Sequence, residues 1–238
     1  MKRLHAALLI LFIIDFIADS FIAATYNNSL RYASKGLLMP LLLAFFITGI
    51  KSGASSVDKK YIMPVCFALL FSFSGDMLLV KDNSLYFMLG IAAFLIAHIF
   101  YIILFCRIQP ATKINNRFSL ISGVVIACYV ATLDFLFWPD TIQQKLTIPV
   151  IMYSIVLGAM LFTALNVINK KGVLKKIILS LVCGAGLFVV SDSIIAFNKF
   201  YLSVPLNGFY VMGTYCLAQF LIVNGARQFI NNNNRHNN

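Results

Sequence analysis

YIMPVCFALLFSFSGDMLLV, residues 61 to 80, is a run of mostly apolar side chains broken near its end by one carboxylate, Asp76. At helical rise such a run reaches roughly 30 Å, the depth of a bilayer's hydrocarbon core, so it predicts a membrane-spanning helix. A charged side chain inside a span costs about 2.5 to 3.5 kcal/mol on insertion scales, which makes Asp76 a functional candidate by default. FVVSDSIIAF, residues 188 to 197, places Asp192 in a similar frame on another span.

Outward from these two stretches the same pattern recurs. Further spans are expected at Leu4 to Ala24, Tyr32 to Ile50, Leu85 to Phe105, Phe118 to Trp138, Ile148 to Ile168 and Phe209 to Arg227, with Ile177 to Phe197 carrying Asp192. Of 238 residues, 61% are hydrophobic and 11% charged, against roughly 45 to 50% apolar residues in a soluble domain. The runs lack the alternation of barrel strands, and lipid leaves backbone groups no partner outside their own segment, so helices follow. The expected fold is an all-α integral membrane protein: one domain over residues 1 to 230, a bundle of eight transmembrane helices. Connections of about 4 to 12 residues leave no room for a soluble domain. The tail NNNNRHNN, residues 231 to 238, is expected to be disordered.

The net charge of +11 does not signal nucleic acid, because the basic residues fall between spans and not in a patch with aromatics. With the N-terminus inside, Lys2, Arg3, Lys51, Lys59, Lys60, Arg107, Lys113, Arg117, Lys170, Lys171, Lys175, Lys176, Arg227 and Arg235 lie on the inner side, 14 in all. Only Arg31, Lys35, Lys81, Lys145 and Lys199 lie outside. The positive-inside rule therefore puts both termini in the cytoplasm. The start resembles a signal peptide, but Asp15 and Asp19 within its apolar run and the lack of a clear A-x-A site predict a retained helix. The five cysteines show no C-x-x-C spacing and read as small buried apolar residues.

Counting helical rise from the outer ends sets Asp76 roughly 6 Å deep, Asp192 and Asp19 roughly 7 to 8 Å, Tyr215 roughly 9 Å and Lys35 roughly 5 Å. Five helices thus contribute polar groups to one outer-leaflet layer, and a cavity there would hydrate them. Asp15 and Asp19, one turn apart, are expected either to pair with Lys35 or a neighbouring helix, or to serve the site directly. Ser72 stands one turn before Asp76 and is placed to hydrogen-bond it. Tyr215 and Gln219 form a polar face on the last helix. Lys199, two turns after Asp192, either joins the site or snorkels to the interface. His98 lies about 20 Å from the outer end, so no contact with the outer aspartates is expected. Gly184 and Gly186 are expected to permit close helix packing. Asp76 and Asp192, like Asp15 and Asp134, recur at nearly one interval, which suggests two four-helix halves.

The histidines are scattered and no Cys/His cluster has ligand spacing, so neither metal nor other cofactor is expected. No G-x-S-x-G, H-E-x-x-H or phosphate-binding glycine loop occurs. Acid chemistry by carboxylates remains, with a proton- or cation-coupled transporter as the competing reading and a lipid-binding protein as a third.

The stretches SKGLLMP ending at Pro40, SGDMLL around Asp76, FLIAHIFYI with His98 and Tyr101, SDSIIAFNKF from Ser191 to Phe200, and YCLAQFLI with Tyr215 and Gln219 together resemble the YhhN family, whose characterised members are lysoplasmalogenases. Each motif is short, but five in order over nearly the whole chain are fairly specific. Gly36 departs from the pattern, where members usually carry proline after the lysine. The resemblance implies a hydrolase of the bacterial inner membrane that takes a lysophospholipid from the bilayer. It would cleave the vinyl ether of a lysoplasmalogen to a fatty aldehyde and glycerophosphoethanolamine or glycerophosphocholine. It also implies that Asp76 and Asp192 are the catalytic pair. Substrate contacts are expected from Lys35, Asp19, Tyr215, Gln219, Lys199 and Ser72, with Lys35 or Lys199 on the phosphate.

Overall fold

In the computed structural model, described for residues 2–25, 28–50, 56–81, 83–110 and 116–236, the chain forms helix after helix. They are α1 Lys2–Thr25, α2 Asn28–Gly49, α3 Ser56–Leu79, α4 Ser84–Ile108, α5 Asn116–Gln143, α6 Thr147–Asn166, α7 Lys175–Phe200 and α8 Asn207–His236. A 3-10 turn, Val167–Asn169, extends α6. All eight are long and apolar enough to cross a membrane, and no strand occurs among the described residues. Of the basic residues used for orientation, Lys51 and Lys113 lie outside the described residues.

The helices exceed the expected spans by a few residues at most ends, because caps and polar first turns extend a helix beyond its apolar stretch. Asn83 illustrates this, its side chain accepting from the Leu85 amide at 2.8 Å to start α4. The Asn-rich stretch expected to be disordered enters α8, which runs past residue 230 to His236, while 237–238 lie outside the described residues.

Sequential pairs pack tightest: α1 with α2, α3 with α4, α7 with α8. Without a hydrophobic drive between helices in lipid, such approach depends on small residues. Gly184 meets this need on α7, since a Cβ there would stand 2.9 Å from the carbonyl oxygen of Ala218 on α8. Gly186 does not: a Cβ would meet nothing within 4 Å, so its expected packing role is not found. Two residues on, its side of the helix has turned away from α8. α8 is the most buried helix and α5 the least, the latter leaning mainly on α6.

Candidate active site

Asp76 sits in the last turn of α3 with both carboxylate oxygens engaged. Lys35 Nζ on α2 reaches Oδ1 at 3.3 Å, and the Tyr215 hydroxyl on α8 donates to Oδ2 at 2.7 Å. Lys35 and Asp76 are both buried, so this is an ion pair removed from water. Behind it, Gln219 Nε2 donates to Ser72 Oγ at 2.9 Å and to the Tyr215 hydroxyl at 3.4 Å, while Tyr101 donates to Gln219 Oε1. Ser72 thus serves Gln219 where a bond to Asp76 was expected. Lys35 pairs with Asp76, and Asp19 instead accepts from Ser34 at 2.5 Å.

Asp192 belongs to a second cluster. The Tyr153 hydroxyl on α6 donates to its Oδ2 at 2.5 Å, and His98 Nε2 on α4 lies 3.1 Å from the same oxygen and 2.9 Å from the Tyr153 hydroxyl. The expectation that His98 stays clear of the aspartates is therefore corrected. α7 continues to Phe200, three residues beyond its expected end, so Asp192 lies roughly 12 Å from that end. Counting rise from helix ends also ignores tilt, and two side chains bridge the remaining difference in depth.

Both clusters line one cavity of about 110 Å³. Lys35, Asp76, Tyr215, Tyr153, Asp192 and Asp134 supply its polar wall, while Phe87, Phe94, Phe137 and Phe200 are among its apolar lining. It occupies the end of the bundle where α3 meets α4, α5 meets α6 and α7 meets α8. A smaller cavity between α5, α6 and α7 shares Leu133, Ser154, Leu157 and Ser193 with it. Of the expected contact residues, Asp19, Gln219 and Ser72 are buried behind the wall, and Lys199 is exposed and outside the lining, with Nζ 5.0 Å from the ring of Phe87, which does line the cavity. Among the described residues no group of three metal-ligating side chains gathers.

The two clusters share a plan. Consecutive residues of α2, Ser34 and Lys35, reach Asp19 on α1 and Asp76 on α3. Consecutive residues of α6, Tyr153 and Ser154, reach Asp192 on α7 and Asp134 on α5, the latter at 2.8 Å. Each half's aspartate is completed by the other half's last helix, Asp76 by Tyr215 and Asp192 by His98. Lys35 and Tyr153, like His98 and Tyr215, are separated by nearly the interval that separates the two aspartates. Tyr153 and Ser154 were not foreseen from sequence, since tyrosine and serine in a span are too ordinary to stand out. The shared interval is the signal that would have found Tyr153, starting from Lys35.

Residues 30–226 match the YhhN family. The chain is 31% identical over 170 residues to a lysoplasmalogenase of Mycobacterium bovis, covering 71% of this chain and 60% of that protein. It is 28% identical over 189 residues to lysoplasmalogenase TMEM86B of Mus musculus, covering 78% and 71%. Lysoplasmalogenase TMEM86A of Homo sapiens is 31% identical over 159 residues, covering 66% and 62%. The chain thus spans about 60% of the length of the mycobacterial relative. No solved structure matches.

Proposed function

The chain belongs to the YhhN family, and from that membership we propose that it is a membrane hydrolase cleaving the vinyl ether of lysoplasmalogens. The products are a fatty aldehyde and a glycerophospho-alcohol. The observation that carries this reading is the meeting of two aspartates from different helices in one largely apolar cavity. A vinyl ether hydrolyses when its β carbon is protonated, leaving a cation shared between the adjacent carbon and the ether oxygen. Water then adds and the hemiacetal collapses. The reaction needs one group to give a proton and one carboxylate beside the cation, the two-carboxylate logic of glycosidases.

The cavity suits an amphiphile. Its aromatic and aliphatic walls, with the smaller cavity beside them, accept the alkenyl chain, and Lys199 beside Phe87 and Lys35 within can take the phosphate. The asymmetry of basic residues orients both termini to the cytoplasm and the cavity to the extracytoplasmic side of a bacterial inner membrane.

The test is aldehyde release by the purified protein from a lysoplasmalogen. Asp76→Asn and Asp192→Asn should each slow it at least about 100-fold while leaving the protein folded, the usual scale for a lost acid or base. Near-normal release from either variant sinks the assignment. A transporter would instead carry substrate across liposomes and form no aldehyde.

A further inference from the structure

Tyr153 and His98 decide which aspartate can hand over a proton. A phenol has one hydrogen to donate, and Tyr153 gives it to Asp192 Oδ2 at 2.5 Å. The 2.9 Å contact between the Tyr153 hydroxyl and His98 Nε2 is then a hydrogen bond only if the imidazole donates. This pattern assigns the proton to Nε2, and it leaves His98 Nδ1, buried without a partner among the described residues, as a bare acceptor and not a stranded N–H. His98 Nε2 also lies 3.1 Å from Asp192 Oδ2. The one Nε2–H is shared between the Tyr153 oxygen and Asp192 Oδ2 as a three-centre bond, so both neighbours direct donors towards one carboxylate oxygen. No described residue bonds to Oδ1, and the side chain keeps 9% of its surface exposed. A carboxyl held so can accept through Oδ2 while its proton rides on Oδ1.

Asp76 is built the other way. An ammonium occupies Oδ1 and a phenol occupies Oδ2, and the side chain is 2% exposed. Donors on both oxygens, one of them a cation, favour the carboxylate over the neutral acid.

We propose that Asp192 delivers the proton from Oδ1, positioned by Tyr153 and His98, while Asp76 stays ionised against Lys35 throughout. This rests on the vinyl-ether reading. The Asp192 O–H bond breaks as the alkene π pair forms a C–H bond at the β carbon, leaving the positive charge on the carbon bonded to the ether oxygen. As Asp192 becomes a carboxylate, the bonds from Tyr153 and His98 become charge-assisted, so they stabilise the transition state more than the ground state. Water adds to the cationic carbon and returns its extra proton to Asp192 Oδ1. The hemiacetal hydroxyl then loses its proton as the C–O bond breaks, and the glycerol oxygen takes a proton, giving aldehyde and alcohol.

The proton's face of delivery can be read directly. Hydrolysis in D2O, with the aldehyde trapped by borohydride, leaves one deuterium at C2 of the resulting alcohol, and its configuration reports the donor's position. The wild-type protein should give a single configuration. The slow residual reaction of Asp192→Asn should give both, whereas that of Asp76→Asn should keep one. Tyr153→Phe, which removes a single oxygen, should lower kcat about 10- to 100-fold with KM within about threefold, the scale of one lost charge-assisted hydrogen bond. His98→Asn should do the same and erode the single configuration. A single configuration that survives Asp192→Asn, or one lost in Asp76→Asn, overturns the division of roles. An undiminished kcat in Tyr153→Phe overturns the positioning role. Absence of aldehyde from the wild-type protein overturns instead the reading on which the proposal rests.

Discussion

Tyr153 and Ser154 are neighbours on α6, yet they hydrogen-bond to carboxylates on two different helices, Asp192 on α7 and Asp134 on α5. Among the described residues Asp134 has only this hydrogen-bond partner: its Oδ1 is buried and unpaired, although the residue lines the main cavity. A half-satisfied carboxyl at membrane depth weakens the fold. Asp134→Leu should therefore raise thermal stability in detergent by about 1 to 3 kcal/mol. If Asp134 serves the cavity, the same change should lower aldehyde release about tenfold or more, the usual trade of stability for activity. A variant both less stable and fully active would contradict this.

Lys35 and Asp76 form a buried ion pair, so removing one partner strands the other. Lys35→Met is expected to cost about 3 to 5 kcal/mol, with Lys35→Met combined with Asp76→Asn recovering most of the loss. Unfolding of the two variants by heat or denaturant checks the order. A double variant no more stable than the single would show that the pair does not hold this end of the bundle.

Gly184 and Gly186 supply a matched pair of substitutions on one helix. Gly184→Ala drives a Cβ against the α8 backbone and should destabilise by about 1 to 3 kcal/mol. Gly186→Ala meets open space and should be neutral or stabilising by up to about 1 kcal/mol through helix propensity. Equal losses at the two positions would mean that close α7–α8 packing is not what limits Gly184.

The side of the membrane on which the cavity opens is testable with single cysteines in a background lacking the five native ones. Leu202 follows α7 at the cavity end, and Lys171 precedes α7 at the other; both are exposed. In intact cells Leu202→Cys should react with an impermeant maleimide and Lys171→Cys only after permeabilisation. The reverse pattern would invert the orientation.

The eight helices were legible because apolar length is a strong signal, and caps merely moved their ends. Asp76, Asp192, Lys35 and Tyr215 were legible because polar side chains in lipid are costly and few. His98 was misjudged because depth along a helix axis says nothing of tilt or of where the partner helix stops. Tyr153 and Ser154 stayed hidden for another reason: their hydroxyls become informative only when the carboxylate opposite is known. Asp134 was noticed for its interval alone, since a sequence cannot say which carboxylates face a common space.

The plan shared by the two halves also bears on how two unlike acids arise. A homodimer of a four-helix unit would be bound by symmetry to hold both aspartates alike, and a change that favoured the proton on one would favour it on the other. Joining the halves in one chain lifts that constraint. The same station is a lysine at 35 and a tyrosine at 153, and a tyrosine at 215 answers a histidine at 98. Broken symmetry, more than either acid alone, is what would equip one cavity for the proposed division between a proton donor and an anion.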